Sequence, residues 1–367
     1  MSPDRNRALA LVVIVCFLTV AGGFGVYKFL RAPASAAKAS VAAVKPFTRA
    51  FPQWMPMTFT VAPEAAPAQP ARPTVAATGT GQAPDRQLLP SGKLNPIDSI
   101  LRPVKAPEPL PGALLPDHLI VAFYGNPKSQ RMGILGQIPP DEMLPRLEQT
   151  AFEWAKADRG RKVVPALHVV VTVAQEKPGR DGKYRMRHSD EMVEEVLGWA
   201  QQRRWIVFLD VQIGQSNVAG ELPHLVKYLK RPDVHLALDP EFAMKPGVIP
   251  GDRVGSLDAA DVNHAVQLLG GLVDQHDLPP KLLVVHRFSR GMLTNYAKIK
   301  LDPRVQVVID MDGFGTPVIK QDAYQSFIAA EPVQFTGFKL FYKKDRPLMT
   351  PHQVLGLWPP PVYVQYQ

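Results

Sequence analysis

From Asp117 to the C-terminus, hydrophobic positions fall into short continuous runs separated by longer amphipathic stretches. Eight of these runs read as strands, over 119–124, 166–173, 205–211, 234–238, 281–286, 305–309, 335–341 and 361–366. Between them the spacing predicts helices over 141–157, 189–203, 218–230, 256–276, 291–299, 320–330 and 350–357. Asp141, Ser189, Asp258 and Asp261 stand where first-turn and N-cap residues are favoured. Strands of unbroken apolar character alternating with helices predict a parallel sheet covered on both faces. Eight such units in one α/β domain match a (β/α)8 TIM-type barrel. An open doubly wound sheet is the competing architecture. It carries a Gly-rich phosphate turn after its first strand, which Gly125-Asn126-Pro127 does not supply.

The first 116 residues have a different texture. Residues 8–27 carry no charge, and Arg5, Arg7, Lys28 and Arg31 flank them. Twenty such residues suffice to cross a hydrocarbon core as a helix, so 1–30 is expected to be an N-terminal transmembrane anchor. A cleaved signal peptide, with Thr19-Val20-Ala21 as its small-residue site, is the alternative. Residues 31–116 read as a disordered Pro/Ala-rich linker, since 17 of the 38 prolines lie in the first 116 residues and no period persists there. The barrel domain is then 117–367, extracytoplasmic on a single-pass cell-membrane protein.

Charge and cysteine content change this picture little. The net charge of +9 belongs mostly to the tail: residues 1–116 hold 12 Lys/Arg against 5 Asp/Glu, leaving 30 against 28 for the rest. A nearly balanced domain gives no reason to expect a nucleic-acid partner. The one cysteine, Cys16, permits no internal disulfide.

In a barrel of this type, chemistry sits at the C-terminal ends of the strands, and polar residues concentrate there. The runs end in Tyr124-Gly125-Asn126, Asp210-Val211-Gln212, Asp239-Pro240-Glu241, His286-Arg287, Asp310-Met311-Asp312, Tyr342-Lys343, and Tyr363 with Gln365. Strand alternation puts Asp239 and Glu241 on one side. Carboxylates held close raise one another's pKa, which supplies a proton donor beside an ionised partner. Glu241, Asp239, Asp210, Asp310 and Asp312 are therefore the candidate catalytic residues, and Tyr124, Gln212, His286, Tyr342 and Tyr363 the candidate substrate-binding ones. Lys339 and Lys343 are expected on a solvated surface. His168, His235 and His286 all lie within strands, but at different heights and without HxH or HExxH spacing, so no metal or other cofactor is expected. No GxSxG occurs, which disfavours acyl transfer.

Leu238-Asp239-Pro240-Glu241 resembles the strand-four Asp-x-Glu of family-25-type lysozymes, barrel glycoside hydrolases that cleave peptidoglycan glycan. It also matches the tail of the chitinase-type motif, with Ala237 where that motif has Asp. The lysozyme resemblance implies Glu241 as general acid and Asp239 as its assistant. The function expected is that of an anchored glycoside hydrolase-like barrel acting on cell-wall polysaccharide. The alternative is a non-catalytic envelope barrel that binds glycan or a protein partner.

Overall fold

Eight parallel strands close on themselves in chain order in the computed structural model, which describes residues 104–367. They are β1 (His118–Gly125), β2 (Lys162–Ala174), β3 (Ile206–Val211), β4 (Val234–Leu238), β5 (Lys281–Arg287), β6 (Val305–Met311), β7 (Phe335–Leu340) and β8 (Tyr363–Tyr366). Closure comes from β8 pairing with β1, where Ile120 stands opposite Tyr363 and Phe123 opposite Tyr366. The architecture is the (β/α)8 barrel. The expected anchor over 1–30 and the linker as far as residue 103 lie outside the described residues. Among the described residues no helix is long and apolar enough to cross a membrane.

Alternation along each strand sorts side chains into two sets. One set faces outward and packs under the helices, as with Leu119, Val121, Phe123, Leu209, Leu236, Val285 and Ile309. The other fills the bore with Ile120, Ala122, Ala166, Phe208, Ala237, Val284, Val308 and Phe335. Burying one such Leu, Ile, Val or Phe side chain contributes about 1.5–3 kcal/mol. The N-terminal end of the bore is stoppered by Leu115, whose backbone N–H donates to Gln306 Oε1 (3.0 Å) while Gln306 Nε2 donates to the Leu115 carbonyl (2.6 Å). The chain thus enters at the end opposite the catalytic-type rim.

The outer layer is less regular than the sequence suggests. Three helices are close to expectation: α1 (Pro140–Ala157), α2 (Asp190–Arg203) and α3 (Ala259–His276). Asp258 and Asp261 form a reciprocal capping box on α3, whereas the Ser189 side chain makes no capping bond on α2. Trp154 of α1 is buried and donates from Nε1 to the Tyr366 hydroxyl (2.9 Å), tying that helix to β8. Between β3 and β4 the expected single helix is three short turns, Val218–Glu221, Leu222–Leu225 and Val226–Leu229. Pro223 lacks the N–H that a continuous helix needs. After β5 the expected helix is two 3-10 turns, split by Leu293–Thr294, which pairs with Leu257–Asp258, and by Asn295 at φ 55°. Helix α4 (Pro317–Tyr324) starts earlier than expected because the Thr316 hydroxyl caps Ile319 N–H, and it runs on into a π-turn, Gln325–Ala329. The last helix, α5 (Pro351–Leu355), precedes β8.

Candidate functional site

At the C-terminal end of the bore the inward positions change from apolar to polar. His168, Asp210, His286, Asp310, Lys339 and Gln365 occupy inward-facing sites above the Phe208–Tyr363 layer, and all are buried. Gly337, the inward residue one layer below Lys339, makes room for this cluster. A Cβ there would stand 2.6 Å from Asp310 Oδ1 and 3.0 Å from the Tyr363 ring.

His286 lies at the centre. It pairs in register with Asp310 on β6, and its Nδ1 lies 3.2 Å from Asp310 Oδ2 and 3.3 Å from Asp312 Oδ2. Its Nε2 lies 3.4 Å from Asp210 Oδ2. The other imidazole, His168, stacks on Phe208 (5.4 Å between centroids). Its Nδ1 meets the Tyr363 hydroxyl at 2.7 Å, and its Nε2 stands 3.2 Å from the same Asp210 Oδ2. Although close, His168 Nε2, both Asp210 oxygens and His286 Nε2 are aligned in no hydrogen bond. Lys339 is an internal cation: its Nζ sits 3.1 Å from Asp312 Oδ1 and 3.7 Å from the centre of the Tyr124 ring.

Above this layer stand Asp239 and Glu241. Strand β4 stops at Leu238, and Pro240–Phe242 is a single 3-10 turn, so strand alternation does not set their directions. Asp239 Oδ1 accepts from the Glu241 backbone N–H (3.0 Å), and its Oδ2 accepts from Gln212 Nε2 (3.1 Å). Gln212 is held by the Ala174 N–H, which donates to its Oε1 (3.1 Å). Asp239 is buried, whereas Glu241 is half-buried.

These surroundings pull the titrations apart. Burial holds His168 neutral and lowers its pKa to about 4, against the nearby Asp210. Burial disfavours the His286 cation, yet the charges of Asp210 and Asp312 and its bond to Asp310 raise its pKa well above 6.5. Burial disfavours the Asp210 anion, yet the facing imidazoles of His286 and His168 hold it well below the usual carboxylate range. Asp239 and Glu241 go the other way. Burial pushes Asp239 up to about 7, with repulsion from Asp210 and Asp312 added. Burial followed by repulsion from Asp239 and Asp312 pushes Glu241 up to about 8. Two proton-holding carboxyls therefore sit above an ionised one.

Of the sequence candidates, Tyr124, Asp210, Gln212, Asp239, Glu241, His286, Asp310 and Asp312 meet at this rim. Tyr363 is a fully buried bore residue beneath them, bound to His168 and Gln365. Tyr342 is elsewhere: it stacks on Tyr366 outside the barrel wall, under the Arg146 guanidinium. Lys339, expected on a solvated surface, is buried. His168 joins the cluster although the sequence reading left it out of the candidates, and its inward parity with Ala166 and Val170 is the signal that places it. His235 sits lower in the bore, its Nδ1 accepting from the Leu282 N–H (3.2 Å). A hollow of about 510 Å³ lined by Gln201, Arg204, Trp205 and Arg231 lies at the opposite end of the strands, away from this chemistry.

No protein-family model matches the chain, and no curated protein matches it. Among solved structures, the crystal structure of a ruminal GH26 endo-β-1,4-mannanase is similar at 10% identity and a TM-score of 0.34, over 75% of this chain and 66% of that one. The chain thus spans just under two thirds of the mannanase chain, and at this level the likeness bears on neither activity nor substrate.

Proposed function

We propose that this chain is a glycoside hydrolase acting on a cell-envelope glycan, with Glu241 as the general acid. The observation that carries the reading is the gathering of Asp239, Glu241 and Asp312 at the rim, where Gln212 and the Glu241 N–H fix Asp239 and Lys339 fixes Asp312. Glycosidic cleavage needs a carboxyl that keeps its proton near neutral pH, beside a carboxylate that faces the positive charge developing on the sugar ring. Glu241, raised to about 8 and reachable from solvent, has the first property. Asp312, ion-paired with Lys339 and beside His286, lies near enough to repel the Glu241 anion and is assigned the second role. Asp239 assists by keeping Glu241 protonated, while its bond from the Glu241 N–H fixes the turn that carries the acid. The lysozyme-like Asp-x-Glu at 239–241 suggests the same division of roles. An uncharged segment over 8–27 followed by a Pro/Ala-rich spacer suits a barrel tethered to a membrane and working on wall polymer.

A second reading is a barrel that binds glycan without turnover. Its support is the complete burial of Asp210 and Asp310, which keeps the lower half of the cluster out of reach of a ligand. Purified protein assayed on peptidoglycan and on soluble β-glycans separates the two. Under the first reading, Glu241→Gln lowers turnover about 100-fold or more while glycan binding persists. Unchanged turnover in Glu241→Gln, or no turnover of any glycan by the unmodified protein, refutes it.

A further inference from the structure

Beyond the carboxyl pair at the rim, we infer that His168 Nε2, Asp210 and His286 Nε2 form a binding site for a divalent cation of the zinc class. Three observations carry this. First, these ligand atoms converge: all lie within 4.8 Å of one another, and the three residues are fully buried. Second, they are unsatisfied. Neither imidazole Nε2 and neither Asp210 oxygen has an aligned hydrogen bond, although an unpaired buried polar atom costs about 1–3 kcal/mol. Four such atoms gathered at one point, among buried side chains, describe a donor set that a cation would bridge, displacing the His286 Nε2 proton to solvent as it binds. Third, the spacing fits. Zinc–nitrogen and zinc–oxygen bonds of about 2.0–2.1 Å in a tetrahedron give ligand–ligand edges of about 3.3–3.4 Å. The edges from Asp210 Oδ2 to His168 Nε2 and to His286 Nε2 are 3.2 and 3.4 Å.

The surrounding groups support the same assignment. A ligating imidazole commonly has its other ring nitrogen fixed by a carboxylate or another polar partner, which sets the tautomer and aims the ligand nitrogen. Here His286 Nδ1 is held by Asp310, and His168 Nδ1 by the Tyr363 hydroxyl, itself held by Gln365. Both rings therefore present Nε2 to the same point. Two imidazoles and one carboxylate form a borderline N/O donor set suited to zinc and its first-row neighbours, rather than to calcium or magnesium. Three protein ligands leave a fourth position for water or another oxygen donor.

The test reads metal content, so its outcome is independent of whether Glu241 acts as an acid. Full-length protein is stripped with chelator, dialysed against Zn2+, and analysed for bound metal. One equivalent is expected in the unmodified chain. In His168→Gln/His286→Gln that equivalent is lost, while an exposed control, His276→Gln, keeps it. Asp310→Asn, which loosens the hold on His286 Nδ1 and removes no ligand, weakens binding roughly 10–100-fold. Far-UV circular dichroism verifies that each variant is folded. The unmodified protein loaded with Co2+ gives a second reading that no folding defect confounds, namely intense visible bands of a low-coordinate nitrogen-ligated ion. Less than a tenth of an equivalent of Zn2+ in the unmodified chain overturns the site and leaves a buried ion-pair network. So does a full equivalent in the double variant, or a Co2+ spectrum of the weak, six-coordinate aqueous kind.

Discussion

Replacing Asp239 with asparagine should remove a loss of stability that the unmodified protein undergoes as pH rises. The Asp239 carboxyl is buried and raised from its ordinary 3.8 to about 7. A carboxyl whose folded pKa lies above its unfolded one binds its proton more tightly in the folded state. Its contribution is therefore fully present below about pH 4 and is lost as pH rises through about 7. At roughly 1.4 kcal/mol per pH unit, the loss amounts to about 4 kcal/mol by pH 9. Asparagine does not titrate. Its Oδ1 still accepts from the Glu241 N–H, but its amide nitrogen meets Gln212 Nε2, donor against donor, at a cost of about 1–2 kcal/mol. Below pH 5 the unmodified protein should be the more stable. Above that the two curves should cross, and at pH 9 the variant should lead by about 2–3 kcal/mol. Removing the Asp239 charge also relieves Glu241, which acts in the same direction. Urea unfolding from pH 4 to 9, with chelator present throughout, measures the difference. Parallel stability curves across that range would show that Asp239 titrates like an exposed carboxyl and would refute the reasoning.

Turnover of a glycan substrate should fall as pH rises through about 8, where Glu241 loses its proton, and Asp239→Asn should move that limb to lower pH by removing the repulsion; a pH–rate profile of kcat/KM checks both. Lys339→Met leaves the buried Asp312 carboxylate with His286 as its remaining cationic partner and should cost up to about 3 kcal/mol in chemical denaturation. Gly337→Ala forces a methyl against Asp310 Oδ1 and the Tyr363 ring, so about 1–3 kcal/mol should be lost and thermal unfolding should show it. Outside the barrel wall, Glu331→Gln unpairs the buried Arg287 guanidinium and should destabilise by about 3 kcal/mol without changing substrate affinity.

The barrel was legible because its strands are buried on both faces. A run such as Val305–Met311 is apolar almost throughout, and that excludes the half-polar alternation of an exposed sheet. The helical layer was less legible, since the sequence period does not report what interrupts it. Pro223 broke one expected helix through a missing donor, and Asn295 broke another through a left-handed backbone. Lys339 was misplaced for a related reason. A lysine reads as solvated by type, and only its inward parity with Gly337, together with a carboxylate from the neighbouring strand, makes burial affordable.

The pair at 239–241 shows what sequence spacing can and cannot deliver. Two acids two residues apart predicted a shared side only if the strand continued, and it stops at Leu238. The carboxyls nonetheless repel one another, because Pro240 starts a turn that Asp239 itself caps, which keeps the two residues together. Their proton-holding character then depends on residues far away in sequence, with Asp312 on the β6 exit and Asp210 on β3 adding to the charge that keeps Asp239 protonated. The same holds for the imidazoles. His168 and His286 are separated by more than a hundred positions and share no motif, so they looked like unrelated strand histidines. Barrel closure gives both inward parity at one height, with Asp210 between them. A ligand set whose members each come from a different strand leaves no local spacing to find, and inward parity at matched height is the only mark it leaves in the sequence.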